Sequence, residues 1–305
     1  MGQFFFDTAS VDYISDAWRK LWGYVDEKDV LGVTTNPSAF GKVNIKTMEE
    51  ALDRTSALCR LITKIRDDGK GVVYVQPPYS KMTIHEMAMW VNMFQSASDG
   101  RTKIACKLPP YYKVLSSMNQ IETEAFKTVK QNIDFNVTGL ADCATAAMAA
   151  TFKPRYISVI IGRMEEKGID AKEQINFIRQ FTDSKTEIIT GAMRTVAGVK
   201  WACQYGTVPT IGTKVFDLIF DEVGAKNFNT LWDDHVYMTP TNTAPIVTKD
   251  MLDLSEAFFV QMDQLGNDLY VDFVKELGKK KTVEGPQAWK KGDSLSTPVR
   301  PTGSH

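Results

Sequence analysis

Eight short runs rich in β-branched and aromatic residues recur along the chain, each followed by a longer stretch, and this alternation limits the fold more than any other feature. The runs are Gln3 to Thr8, Val30 to Asn36, Val72 to Gln76, Lys103 to Leu108, Asp134 to Gly139, Tyr156 to Gly162, Glu187 to Ala192 and Thr207 to Gly212. Between them lie segments of helical period, such as Thr47 to Arg66 with apolar Met48, Leu52, Ala57, Leu58, Leu61 and Ile65, Ile84 to Phe94, and Ala171 to Phe181. Strands that alternate with helices over short connections pair in parallel. Eight such units predict an α/β protein with a (β/α)8, or TIM, barrel. No GxGxxG or GxxxxGK[ST] occurs, so a nucleotide-binding double-wound sheet lacks its usual phosphate cradle.

The barrel is expected over residues 1–224, followed by extra C-terminal helices over 225–278 and a tail over 279–305. Asp250 to Leu277 reads as one or two helices rich in Leu, Phe and Met. Their expected role is to close the barrel base or to meet another subunit, with Phe258, Phe259, Met262, Leu265 and Phe273 as the surface of a possible homo-oligomer. From Lys279 the composition turns to Lys, Gly, Pro, Ser and Thr, which cannot bury a core, and Gly303-Ser304-His305 reads as a cloning remnant.

A net charge of -1 with scattered arginines gives no electrostatic reason to expect nucleic acid or an anionic membrane as partner. Cys59, Cys106, Cys143 and Cys203 are far apart and lack metal-ligand spacing, so free thiols in a reducing, cytoplasmic setting are expected. His235 in Trp232-Asp233-Asp234-His235 lacks a second ligand group at usable spacing, so no metal is assigned.

Chemistry in a barrel of this kind collects at the C-terminal ends of the strands. Those ends are polar here: Asp7, then Thr34-Thr35-Asn36, Gln76, Lys107, Asn136 and Thr138, Ser158 with Gly162-Arg163 beyond it, and Arg194 after the seventh run. Each has an ordinary structural explanation, such as Asn36 capping the next helix or Lys107 snorkelling to water. Barrel interiors favour bulky branched residues, however, and so many polar ends together favour a site. The two-residue period puts Phe5 with Asp7, Tyr74 with Gln76, Ala105 with Lys107, and Asn136 with Thr138 on shared faces.

That inventory suits aldol chemistry. A neutral lysine amine forms an imine with a ketone, and the iminium is the electron sink that lets a carbon–carbon bond break. Lys107 is the candidate amine and Asp7 the candidate acid and base, with a water held by Gln76 and Thr138 as proton relay. Arg163 and Arg194 stand where barrels commonly hold phosphate, which makes a sugar phosphate the natural substrate.

With these residues in place, the chain resembles the transaldolases and the closely related fructose 6-phosphate aldolases. The matching pieces are Phe6-Asp7-Thr8, Gly32-Val33-Thr34-Thr35-Asn36-Pro37-Ser38, Lys107, Asn136-Val137-Thr138, Ser158 followed by Gly162-Arg163, and Gly191-Ala192-Met193-Arg194. The resemblance implies a Schiff base on Lys107, acid–base work by Asp7, and a catalytic water positioned by Thr138. It also implies that Asn36, Asn136 and Ser158 hold hydroxyls of a dihydroxyacetone unit beside Thr34, and that Arg163 and Arg194 grip phosphate. The implied reaction transfers dihydroxyacetone from fructose 6-phosphate or sedoheptulose 7-phosphate to an aldose phosphate, with no metal or organic cofactor. Alternatives are a lyase that releases dihydroxyacetone and a barrel that binds sugar phosphate without turnover.

Three departures from the family pattern stand out. Gln76 replaces the glutamate of larger transaldolases, although small aldolase-like members carry glutamine there. Ile160 replaces the phenylalanine of transaldolases or the tyrosine of the fructose 6-phosphate aldolases, and Ala192 replaces a serine beside Arg194.

Overall fold

The eight runs form parallel strands that pair in chain order and close into a barrel, the last strand returning to the first. The computed structural model describes residues 2–78, 82–129, 133–182, 185–236 and 245–283. Its strands are β1 (Phe4–Phe6), β2 (Val30–Thr34), β3 (Val72–Val75), β4 (Lys103–Leu108), β5 (Phe135–Leu140), β6 (Tyr156–Val159), β7 (Glu187–Thr190) and β8 (Val208–Ile211). Helices surround them: α1 (Val11–Leu21), α2 (Pro37–Lys42), α3 (Met48–Ile65), α4 (Ile84–Ser96), α5 (Tyr112–Leu115) and α6 (Met118–Val129) on the first half. The second half carries α7 (Cys143–Thr151), α8 (Ile161–Glu165), α9 (Ala171–Ile178), α10 (Val196–Gln204), α11 (Thr213–Glu222) and α12 (Lys249–Val283). This is a (β/α)8 barrel with an added C-terminal helix. Among the described residues no helix is long and apolar enough to cross a membrane.

Alternation along the strands sorts the core into two layers. Phe5, Tyr74, Ala105, Tyr156, Ile189 and Val208 turn inward and form their own cluster. Within it Phe5, Tyr74 and Tyr156 meet edge to face, with ring centres 5.6, 5.7 and 5.9 Å apart. Phe4 and Phe6 turn outward instead, and Phe6 stacks on Phe216 of α11 at 4.9 Å. The helices start where side chains can satisfy their free N–H groups: Thr47 with Glu50, and Thr83 with Glu86, form reciprocal capping boxes at α3 and α4.

β2 ends earlier than its sequence run because the polar residue at its end serves the next helix. Asn36 Oδ1 accepts the Ala39 N–H at 2.8 Å, so the residue caps α2 with Pro37 in its first turn. β6 also stops short of its run, but there Ile160 opens α8 without any side-chain cap.

The C-terminal extension divides between the two ends of the barrel. Ala225–Trp232 is a 3-10 segment that packs Phe228 against Phe4 and Phe216, near the start of β1. Helix α12 is one continuous helix, and it crosses the strand ends, not the base expected from sequence. Phe258 and Phe259 press on Gly139 at the end of β5, Gly266 lies against Pro37 and Pro78, and Asp272 Oδ2 accepts the Met48 N–H at 2.8 Å. Phe258, Phe259, Met262 and Phe273 are therefore buried within their own chain, whereas Leu265 is exposed. The α12 backbone runs past the expected boundary at 279, and residues 284–305, with the expected tail and its final Gly303-Ser304-His305, lie outside the described residues.

Candidate active site

The strand ends open into a cavity of about 280 Å³ beneath α12. Eight residues singled out from sequence line it: Asp7, Thr34, Asn36, Lys107, Thr138, Ser158, Arg163 and Arg194. The other two stand behind the wall. Asn136 pairs in register with Lys107 on one side and Tyr156 on the other, and its Oδ1 accepts the Ser158 hydroxyl at 2.8 Å. Asn136 Nδ2 and both polar atoms of the Gln76 amide are buried with no hydrogen-bond partner among the described residues. Unmatched amides at such depth are uncommon in a protein interior, and these two lie on β5 and directly after β3, the strands that flank β4.

Lys107 is 6% exposed, held on β4 two residues beyond the inward Ala105. Burial pushes its amine below the ordinary lysine value, and the charge of Asp7 opposes that shift. Asp7 follows β1, where its N–H still donates to the Ile211 carbonyl at 2.9 Å. Its Oδ1 accepts the Thr34 hydroxyl at 2.7 Å, which fixes one carboxylate oxygen. The two ionisable groups thus face one cavity from strands separated by two others around the barrel. An amine that surrenders its proton readily, with a carboxylate nearby, is the pairing that imine chemistry requires.

Arg163 and Arg194 form the opposite wall. The Arg163 guanidinium is drawn below its usual range by burial first and by Arg194 second. Arg194 Nε donates to Glu166 Oε1 at 2.7 Å, while Arg163 Nη2 donates to Gln261 Oε1 at 2.7 Å and lies 5.1 Å from the Phe258 ring centre. Two guanidiniums kept side by side form a ready anion site. Their spacing depends on a tight backbone crossing: a Cβ added at Gly162 would sit 1.8 Å from the Ala192 carbonyl oxygen. Ala192 itself has φ of 58°, a left-handed conformation that costs a non-glycine residue about 1 kcal/mol or more. Ile160 supplies an apolar patch on the same wall.

A family model for transaldolase/fructose-6-phosphate aldolase matches residues 4–269, a span that takes in every strand and most of α12. The chain belongs to that family. A probable transaldolase of Syntrophobacter fumaroxidans is 27% identical over 240 residues, covering 76% of this chain and 96% of its own. One from Streptococcus equi subsp. zooepidemicus is 29% identical over 218 residues, with 70% and 88% covered, and one from Methanococcus maripaludis is 25% identical over 242 residues, with 77% and 99% covered. This transaldolase/aldolase family member is thus an aldolase-type enzyme at low identity to its named relatives.

The cavity also includes residues that the sequence reading passed over. Thr210 on β8 obeys the same rule as the others, two residues after the inward Val208, and a polar strand end was the available signal. Ser38, the last residue of the Gly32-to-Ser38 motif, and Lys42 reach the cavity from α2. Phe258, Gln261 and Met262 come from α12, far along the chain, and no local pattern points from that helix to the mouth.

Proposed function

We propose that this family member is a transaldolase that moves a dihydroxyacetone unit from a ketose phosphate to an aldose phosphate through a Schiff base on Lys107. The observation that carries the reading is the burial of the Lys107 amine in a cavity that also holds Asp7 and, across from them, two arginines.

The Lys107 amine adds to the C2 carbonyl of the ketose, and loss of water gives the iminium. Asp7, oriented by Thr34, takes the proton of the C4 hydroxyl as the C3–C4 bond breaks and the aldehyde departs. The electron pair remains on Lys107 as an enamine, which attacks the aldehyde carbon of the acceptor, and Asp7 returns the proton to the new hydroxyl. A water held by Thr138 and the unmatched Gln76 amide carries protons during imine formation and hydrolysis. Ser158 and Asn136, already bonded to each other, hold the dihydroxyacetone hydroxyls with Asn36, whose Oδ1 is engaged in its cap and whose amide N–H2 serves the ligand. Arg163 and Arg194 bind the phosphate.

The second reading, a lyase that releases dihydroxyacetone, rests on Gln76, because glutamine there accompanies that activity in the small members of the family. Ile160 favours the transferase, since it cannot hydrogen-bond a water that would protonate the enamine. Incubation with fructose 6-phosphate, with and without erythrose 4-phosphate, separates the two. Transfer requires the acceptor, and turnover without it would assign the lyase. Borohydride should trap the donor fragment on Lys107, located by mass mapping, and trapping at another lysine would overturn the mechanism.

A further inference from the structure

A second cavity, of about 490 Å³, opens where α1 ends and β2 begins, at the opposite end of the barrel from Lys107. Three aromatic side chains wall it: Trp18, Trp22 and Tyr24. Trp22 is 73% exposed and Tyr24 52%, which is unusual for side chains that large. The remaining wall is acidic, with Asp26, Glu27 and Asp29 against one ammonium, Lys64.

Asp29 is the decisive residue. It is 5% exposed, and its Oδ2 is buried with no hydrogen-bond partner among the described residues. A carboxylate oxygen left unmatched at that depth is costly unless something completes it. Burial raises the Asp29 carboxyl above its ordinary value and Asp26 adds to the rise, while the N-terminal charge and then Arg66 oppose it. Asp26 is already engaged, its Oδ1 accepting the Lys28 N–H at 2.9 Å.

The walls are held in place before any ligand arrives. Asn229 Nδ2 donates to the Tyr24 carbonyl at 2.7 Å, and the Tyr24 and Val25 N–H groups both donate to the Leu21 carbonyl, at 2.9 and 3.1 Å. The C-terminal end of α1 adds its partial negative charge at the same spot. Aromatic faces, carboxylates and a helix C-terminus all attract the same kind of group: a cation with apolar substance around it.

We propose that this cavity binds an organic cation, a guanidinium or alkylammonium head on a short apolar stem, with Asp29 completing the charge and Trp22 and Tyr24 covering the stem. It shares no residue with the cavity around Lys107, so the proposal stands apart from the reading of that site.

Isothermal titration of the full chain with agmatine and with N-acetyl-arginine amide tests it, with N-acetyl-leucine amide as the neutral control. Both cations should bind saturably at millimolar concentrations while the neutral amide does not. The tighter of the two identifies the source, agmatine for a free metabolite and the amide for a side chain borne by a peptide. Trp22→Ala and Asp29→Asn should each weaken cation binding by about tenfold, the effect of losing one such contact at a partly exposed site. Glu27→Gln replaces Asp29→Asn if circular dichroism finds the latter unfolded. No saturable binding to the wild-type chain, equal binding of the neutral amide, or undiminished binding to the folded variants would each overturn the proposal.

Discussion

Replacing Gly162 with alanine tests whether the crossing between the ends of β6 and β7 sets the arginine pair. The new Cβ would lie 1.8 Å from the Ala192 carbonyl oxygen, whereas real Cβ contacts essentially never fall below 3.0 Å, so the two segments must part by about an ångström. The obstacle is backbone, which cannot rotate aside as a side chain would. Overpacking of this kind costs about 1–3 kcal/mol. With an unfolding entropy near 0.6 kcal/mol per kelvin for a chain of this size, the melting temperature should fall by about 2–5 °C. Arg163 follows the substituted residue directly, and the same Cβ would stand 3.3 Å from Arg194 Cγ, so the displacement passes to both guanidiniums. A misplacement of that size should raise KM for fructose 6-phosphate by about ten- to a hundredfold while trapping of unphosphorylated dihydroxyacetone on Lys107 changes by less than about twofold. Steady-state kinetics on both compounds, with a thermal melt, decide the matter. Equal losses on the two compounds would mean that the crossing supports the lysine instead of the phosphate. A variant indistinguishable from wild type in both KM and melting temperature would refute the contact itself.

Lys107→Met should abolish trapping and keep the fold. Because burial lowers the Lys107 amine, the unfolded chain binds more proton than the folded one below the ordinary lysine value of 10.5, so wild-type stability is lost as pH falls through that window. The methionine variant should therefore gain on wild type as pH drops below 10.5, and a parallel pair of melting curves would contradict the burial argument. Asp7→Asn removes the charge that holds the Lys107 amine up, so the acid limb of dihydroxyacetone trapping should move to lower pH even though cleavage fails. An upward move would reverse the assigned coupling. Tyr13→Phe tests the wall between α1 and α11, where the hydroxyl lies 2.7 Å from both the Thr213 carbonyl and Asp217 Oδ1. Urea denaturation should report a loss of about 1–2 kcal/mol with catalysis intact.

Much of the barrel was legible because its signals are local. Period-two alternation placed Asp7, Gln76 and Lys107 two residues beyond the inward Phe5, Tyr74 and Ala105, and those three form part of one interior cluster. The run at Lys103 to Leu108 coincides with β4, since the following prolines stop it. Strand ends were less legible where a polar residue has two local uses. Asn36 reads equally as the last residue of a strand and as a helix cap, and it caps α2 while it lines the cavity. Helix α12 was legible as a helix but not as a wall of the cavity. Its apolar residues, Phe258, Phe259, Met262 and Phe273, would suit a barrel base or a subunit contact as well as a barrel mouth, and only tertiary packing distinguishes the three.

The aromatic layer of Phe5, Tyr74 and Tyr156 has a consequence for the order of events at Lys107. Because the three rings meet edge to face in the barrel core, one layer in from the lysine, they close the chamber on the side of the barrel interior. Exchange with solvent therefore takes place at the strand ends, beneath α12. Under the proposed function, a phosphate held by Arg163 and Arg194 would occupy part of that exchange path, so its residence time would set how often water reaches Lys107.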